Sequence, residues 1–597
     1  MAGDPGGDGN GPAPTPESAT LRNEALAARL EEFADLLEAR GVAYKPSAYR
    51  RAAENVREYP ESVAAIARET PDRLEEVDRV GEAIASKLIE YIETGRIEEL
   101  EELRAELPVE MAALTRVEGI GPKTVGSLYE ALGITTLDEL EAAAEAGEIR
   151  DVEGFGVKSE RNVLENVPFA REAGRRRLLS DARPLADDAL DYLGSVPAVD
   201  RADVAGSLRR WRPTIGDVDV LVATEDGAAA VEAFTDWPAA DAVIEAGESK
   251  ASVRAQGVRV DFRTVVPEEF GAALQYFTGS KDHNVHLRNV AIDREMKINE
   301  YGLFDVSAVD DPDAGQRVGT RVAGEHEAGI YEALGMTTPP PELREDRGEI
   351  EAATAGEFPE LIEPGDLRGD LHTHTDRTDG RATLEEMVAG AEERGLDYLA
   401  VTDHATGPGV RGFGLSDEEI RAQAAAVDEA AADADPELFA GVEANVDADG
   451  GLSVGDDVLE ALDVVVASPH SGLDGDGTDR LIAAAEHPAV DVLGHPTGRL
   501  LTDRPGLDVD VPELAAACAD AGTALEVNAN PGRLDLRGGA VQAAVEAGAT
   551  ICVNTDAHHP SSFEYARYGV HTARRGWAEP GDVLTARSVD GVSGFLS

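Results

Sequence analysis

Nine histidines and carboxylates, almost every one at the end of a predicted strand, stand in the C-terminal part of this chain, and that series restricts its fold more than any other feature. They are His372, His374, Asp379, His404, Glu443, His470, His495, Asp556 and His558. From residue 367 onward, apolar runs at Tyr398–Val401, Val464–Val466, Val490–Leu493, Leu525–Val527 and Ile551–Val553 alternate with Ala-rich helical stretches. Strand and helix in alternation predict βα units on a parallel sheet, and seven or eight such units predict a barrel. His372 and His374 are two residues apart in an extended segment, so both rings face one way. Nine ligands suffice for up to three ions at about three protein ligands each. Imidazole mixed with carboxylate suits Mn²⁺, Zn²⁺ or Fe²⁺ better than Mg²⁺. A hydroxide held between two such ions attacks a phosphoester.

A second constellation lies upstream. Gly206-Ser207-Leu208-Arg209-Arg210 is followed by Gly216-Asp217-Val218-Asp219 and, on another alternating run, by Asp261. Side chains two apart on a strand share a face, so Asp217 and Asp219 stand side by side and a neighbouring strand brings Asp261. Three convergent carboxylates suit a pair of hard cations, Mg²⁺ or Mn²⁺, for nucleotidyl transfer. Gly206 and Ser207 open a turn able to hold a triphosphate, with Arg210 supplying charge.

The helical N-terminal part reads as two regions, 21–105 and 106–170. Val117-Glu-Gly-Ile-Gly-Pro-Lys123 and Val152-Glu-Gly-Phe-Gly-Val-Lys158 each place a Gly-x-Gly turn before a helix and a lysine two residues later. Gly119, Gly121, Gly154 and Gly156 let backbone N–H groups approach a phosphate closely, and Lys123 and Lys158 add charge. Such contacts grip a nucleic-acid backbone without reading its sequence. A weaker turn at Val80-Gly81 precedes another helix.

The net charge is −63 over 597 residues, although 42% of the residues are apolar. Such a surface fits a cytoplasm of molar salt, where the Debye length of about 3 Å screens self-repulsion. An extreme halophile is the expected source. Only seven of 54 basic residues are lysine, and none follows Lys297. A surface purged of lysine keeps it mainly where an ammonium is needed. Cys518 and Cys552 read as buried free thiols of a reducing compartment. Residues 1–20 read as a disordered, Gly- and Pro-rich tail. No apolar run reaches membrane-spanning length and no signal peptide is evident, so a cytoplasmic monomer is expected.

Two resemblances organise these motifs. From Leu21 to about Met336 the chain resembles the family X DNA polymerases. That resemblance implies an 8-kDa-like helical domain (21–105), fingers (106–170), a nucleotidyltransferase palm (171–265) and a thumb (266–335), followed here by a linker (336–366). It makes Asp217, Asp219 and Asp261 the palm's metal carboxylates, and it places Gly206, Ser207 and Arg210 at the incoming dNTP. Tyr276, Phe277 and Gly279 match the segment that excludes a ribose 2′-hydroxyl. Asn284 and Arg288 match minor-groove contacts to the nascent pair and the template. Lys87 takes the position of a Schiff-base lysine that attacks an abasic sugar, while Lys45, Tyr49 and Arg50 match the 5′-phosphate site. Ala83 departs from the family pattern, where a second lysine is usual. Residues 367–597 are similar to the PHP phosphoesterases through HTHTDRTDG, TDHA, GVEAN, SPHSG, GHP and NTDAHH, with all nine ligand positions filled. A distorted (β/α)₇ barrel with a trinuclear site is implied. Together the resemblances imply a gap-filling repair polymerase on gapped or primed DNA, with a 3′→5′ exonuclease or 3′-end-processing activity in the barrel and abasic-site activity as an addition. The alternative is a catalytically quiet barrel that only braces the polymerase.

Overall fold

The computed structural model describes residues 23–596 apart from 43–44, 60–62, 78, 95, 116, 118, 153, 173–175, 257, 313 and 411. The tail expected over residues 1–20 lies outside the described residues. Leu26, Leu30, Phe33 and Leu37 recur at helical spacing, and helix Asn23–Ala39 buries all four. The hydrophobic core begun there runs on to Val167, so the two helical regions read separately from the sequence share one interior. Gly126 makes that possible. A Cβ there would stand 2.1 Å from the Ala39 carbonyl oxygen, so glycine lets helix Pro122–Leu132 approach the end of the first helix.

The palm is a five-stranded sheet in the order Arg201–Val204, Val218–Ala223, Val258–Val265, Lys250–Ala255, Ala242–Ala246. Its second and third strands are parallel and the other pairs antiparallel. Val258–Val265 alternates buried and half-buried residues along its whole length, which is the period-2 pattern legible in the sequence. The second strand starts one residue later than expected, at Val218, so Asp217 lies just before it. The thumb follows as helices Phe270–Thr278 and Lys281–Ile292, a three-stranded antiparallel sheet and helix Glu327–Ala333.

The segment 336–366, expected to be a linker, is instead packed into the molecule. Leu343, Arg344 and Glu349 are 0% exposed. Arg344 Nη1 lies 2.5 Å from Glu327 Oε1. Glu345 meets Arg210, Arg212 and Arg575 at 3.1, 3.2 and 3.1 Å. Prolines and acids look like a spacer when their partners are distant in the chain; here those partners sit on the palm, the thumb and the C-terminal domain.

The C-terminal domain carries seven parallel strands in sequence order, from Gly369–Asp370 to Ile551–Asn554. A parallel bridge between Thr373 and Ala557 brings the last segment back to the first, so the sheet curls into a nearly closed barrel. Its longest strand, Glu437–Asn445, is buried from Leu438 onward. Strands covered on both sides read as continuous apolar runs rather than alternation. The barrel also seals the palm: Leu534 and Tyr568 join the palm's hydrophobic core, and the Trp211 ring stacks on His571 at 3.5 Å.

Candidate active sites

The palm site forms because its central strands run parallel in a register that puts Asp219 opposite Asp261. Asp217, just before the strand, completes the set, and one carboxylate oxygen from each lies within 4.8 Å of the others. Asp261 accepts from Arg259 Nε at 2.8 Å and from the Ser252 hydroxyl, which fix its orientation. Burial, then Asp217 and Asp261, push the Asp219 carboxyl up to about 7. Asp217 is raised as well, by burial and by Asp261. Three carboxylates that resist sharing their charge are a site suited to cations. Below about pH 7 protons compete for Asp219, so divalent-cation affinity at the palm falls as pH drops from 8 to 6. Mn²⁺ titration across that range, with Asp219→Ala as the reference that leaves only the barrel groups, checks this, and a pH-independent palm component refutes it.

Gly206 has φ +60°, and a Cβ there would lie 2.1 Å from Asp219 Oδ2. Gly206→Ala therefore displaces that carboxylate, and primer extension falls by roughly a hundredfold or more, the scale of a misplaced reacting group. Steady-state incorporation measures this. Ser207 is half-buried on the short helix that follows. Arg210 is held by Glu345 and by the Thr278 carbonyl. Glu345 remains well below the usual carboxylate range: burial pushes it up, but Arg210, Arg212 and Arg575 prevail. Tyr276 and Phe277 meet edge-on with centroids 5.2 Å apart. Gly279 has φ +70°, and a Cβ there would come 3.2 Å from Arg210 Nη1. Asn284 donates to the Tyr276 carbonyl at 2.7 Å. Arg288 is exposed on the thumb helix.

The two Gly-x-Gly turns face one concavity of about 260 Å³, lined among others by Gly119, Lys123 and Gly154. Gly119 and Gly154 have φ of +79° and +91°, and around Gly121 and Gly156 the space is open. Lys123 and Lys158 are exposed. In the first helical region, Lys87 pairs with Glu99 and stands 4.8 Å from the Phe33 ring centroid. Tyr49 is buried against Phe33, and burial and then Glu99 push its phenol up to about 12. Arg50 is 2.6 Å from both Asp35 and Glu38, whereas Lys45 is exposed.

In the barrel all nine expected ligands converge. Three groups have ligand atoms within 4.8 Å of one another: His374, Asp379, His404 and His558; His372, His374 and Asp556; His404, Glu443 and His470. His495 falls outside these groups, yet its Nε2 is 3.0 Å from Glu443 Oε1. Glu443 is the hub, with oxygens 2.6 Å from His404, 3.3 Å from His470 and 3.4 Å from His372. Nine buried atoms here make no hydrogen bond: His372 Nε2, both His374 nitrogens, His404 Nδ1, both Glu443 oxygens, both His470 nitrogens and His495 Nδ1. Buried polar atoms are seldom left so, and the donor set fits up to three borderline cations. Burial and then His404 lower the His374 ring to about 4, leaving it neutral, the form that ligates. His495 (φ 27°) and Asp556 (φ 54°) occupy left-handed backbone, a strain of about 1–3 kcal/mol that the surrounding packing imposes.

Sequence reasoning missed the polar side chains behind the ligands, two carboxylates and an amide. Glu526 lies 2.8 Å from His372 Nδ1 and accepts from the His495 backbone N–H at 2.6 Å. Asp403 accepts from the Thr375 N–H and hydroxyl and holds the segment before Asp379. Asn528 donates to Asp556 at 3.2 Å. Such partners fix ring orientation. The available signals were Glu526 and Asn528 two apart on one strand, and Asp403 beside His404.

A carboxylate triad on a palm, joined to a histidine–carboxylate barrel, defines a metal-dependent nucleotidyltransferase carrying a second, phosphoesterase-type centre. Family models agree along the chain: a helix-hairpin-helix domain at 21–97, a SAM-like helix-hairpin-helix tandem at 111–166, a DNA polymerase beta thumb at 273–345 and a PHP domain at 370–490. The thumb match reaches Glu345, consistent with the packing of that segment. DNA polymerase/3′-5′ exonuclease PolX of Bacillus subtilis is 35% identical over 575 residues, 95% of this chain and 98% of its own length. DNA polymerase lambda of Rattus norvegicus is 24% identical over 333 residues, 50% of this chain and 54% of its own. A Shewanella protein named as a probable phosphatase is 28% identical over 202 residues, 32% of this chain and 75% of its own. The chain belongs to the PolX family, family X DNA polymerases with a C-terminal PHP domain.

Proposed function

We propose that this chain fills gaps in DNA with dNTPs at the palm and trims or cleans 3′ ends in the barrel. The observation that carries this reading is the presence of two complete, separate cation-binding constellations, each with its ligands gathered from distant segments. At the palm, Asp217, Asp219 and Asp261 would hold Mg²⁺ or Mn²⁺, which supplies activation of the primer hydroxyl and charge for the leaving diphosphate. The chain's own residues do the rest. Gly206 and Ser207 present a turn for the triphosphate, Asn284 is pinned against Tyr276 beneath the nascent pair, and Arg259 with Ser252 keeps Asp261 turned toward the site. Arg210 turns to a triphosphate only on leaving Glu345.

In the barrel, up to three ions of Mn²⁺, Zn²⁺ or Fe would supply a hydroxide and offset phosphate charge. Glu526 orients His372, and Glu443 ties together His372, His404, His470 and His495. A quiet, bracing barrel would have no use for nine buried ligand atoms that make no hydrogen bond. The helix-hairpin turns grip the DNA backbone through Gly119, Gly121, Lys123, Gly154, Gly156 and Lys158. Lys87 acts on an abasic sugar only once Glu99, with which it pairs, has moved aside. No helix among the described residues is long and apolar enough to cross a membrane. We place the protein in the cytoplasm as a monomer working in molar salt, on the strength of its charge. There, phosphate contacts through charge weaken steeply, and backbone N–H contacts gain weight. Labelled gapped DNA with dNTPs and Mn²⁺ in molar KCl tests the reading: both lengthening and shortening of the labelled strand are expected. A chain that does neither, or only one, overturns it.

A further inference from the structure

The Asn284 amide is hydrogen-bonded at both ends. Its Nδ2 donates to the Tyr276 carbonyl and its Oδ1 accepts from Gln275 Nε2, each at 2.7 Å. A carbonyl only accepts, so the first bond fixes which end of the amide carries the nitrogen. The second requires the same orientation. Neither bond uses the second N–H of that nitrogen. Gln275 is 2% exposed on helix Phe270–Thr278. A glutamine is seldom buried so deeply unless its amide is needed for hydrogen bonds.

The orientation of Gln275 is set in turn by a buried chain of donors that ends at Glu349. Glu349 accepts from the backbone N–H groups of Asp346 and Arg347 at 2.9 and 2.7 Å. His283 Nδ1 lies 2.7 Å from Glu349 Oε1, and His283 Nε2 lies 2.8 Å from the Tyr331 hydroxyl. Burial lowers the His283 ring and keeps it neutral. Glu349 is held below the usual carboxylate range: burial opposes this, but His283 prevails. A carboxylate only accepts, so the ring proton sits on Nδ1, and Nε2 takes the Tyr331 hydroxyl proton. The Tyr331 oxygen is then left to accept from Gln275. Each group donates toward Glu349, and Gln275 turns its nitrogen, not its oxygen, inward. Glu349 belongs to the packed segment 336–366, so that segment reaches the nucleotide site through the thumb.

We propose that Gln275 is a positioning residue for nucleotide selection: it holds the Asn284 amide so that a donor, never an acceptor, faces the minor-groove edge of the nascent pair. This rests on the polymerase reading above, in which Asn284 meets that pair, and deepens it. Purine N3 and pyrimidine O2 are acceptors on that edge. A fixed donor therefore suits every correct pair without reading which base has arrived. An amide free to turn would also present its oxygen, which those acceptors repel.

The test is primer extension by the full chain on gapped DNA with thymine in the template. It compares dATP with 3-deaza-dATP, whose C–H in place of N3 cannot accept. The wild type prefers dATP roughly tenfold in kcat/KM, the scale of one hydrogen bond to a positioned donor. Gln275→Met keeps the length of the side chain but cannot donate. It lowers kcat/KM for dATP roughly tenfold and leaves 3-deaza-dATP little changed, so the preference all but disappears. Tyr331→Phe removes only the hydroxyl and narrows the preference part of the way. Circular dichroism reports that each variant is folded. Equal losses on the two nucleotides in Gln275→Met, with the preference intact, overturn the proposal and leave Gln275 a packing residue. Should Gln275→Met fail to fold, Tyr331→Phe decides, and an unchanged preference there overturns the proposal as well. A wild type that extends with both nucleotides alike takes Asn284 away from the minor groove, which is a failure of the underlying reading and is told apart by needing no variant.

Discussion

Asp219→Ala yields a chain that shortens DNA but no longer extends it. Asp219 faces Asp261 across parallel strands and sits beside Asp217, so its loss removes a ligand shared by the converging carboxylates. The charge stabilisation given by two cations amounts to several kcal/mol, and extension falls on the order of a thousandfold or more. The barrel ligands come from residues 372–558 on a different sheet, so degradation of a labelled strand continues at the wild-type rate. Burial disfavours charge at Asp219, so the alanine also relieves repulsion, and loss of fold is not the expected cause of the defect. Extension and shortening measured on one labelled primer decide the matter. Loss of both activities together would mean that the two centres are not independent.

Glu443→Gln gives the reverse phenotype. Glu443 is fully buried, and its oxygens lie within 4 Å of His372, His374, His404, His470 and His495. Its carboxyl is held well below the usual range: burial opposes this, but His404, His470 and His372 prevail. Glutamine keeps the shape and removes the charge that cations require. The purified variant carries fewer metal ions per chain than wild type, and 3′→5′ degradation falls on the order of a thousandfold, while extension is retained. Metal content by mass spectrometry and a strand-shortening assay check this. Wild-type degradation by Glu443→Gln would remove the hub role from the site.

Both clusters of candidate metal ligands could be read on paper because strand geometry turns spacing into direction. Two residues apart means one face, which is why His372 with His374 and Asp217 with Asp219 could be paired on paper. The Gly-x-Gly turns were legible for a similar local reason, since Gly119 and Gly154 need positive φ and glycine grants it. What escaped were residues whose partners are far off in the chain. Glu526 looks like one more acid until His372, 154 positions earlier, is seen against it. Arg344 and Glu345 looked like spacer because Glu327, Arg210 and Arg575 were needed to explain their burial.

The sequence by itself determined the two chemistries, the order of the domains and which residues could ligate, because these depend on residue type and on short periodic spacing. Only the tertiary structure decided how the domains lean on one another: Leu534 in the palm's core, Arg575 on Glu345, Trp211 on His571. Contacts of that kind join segments hundreds of residues apart. No local pattern encodes them, since burial and charge pairing are set by what the folded chain brings near.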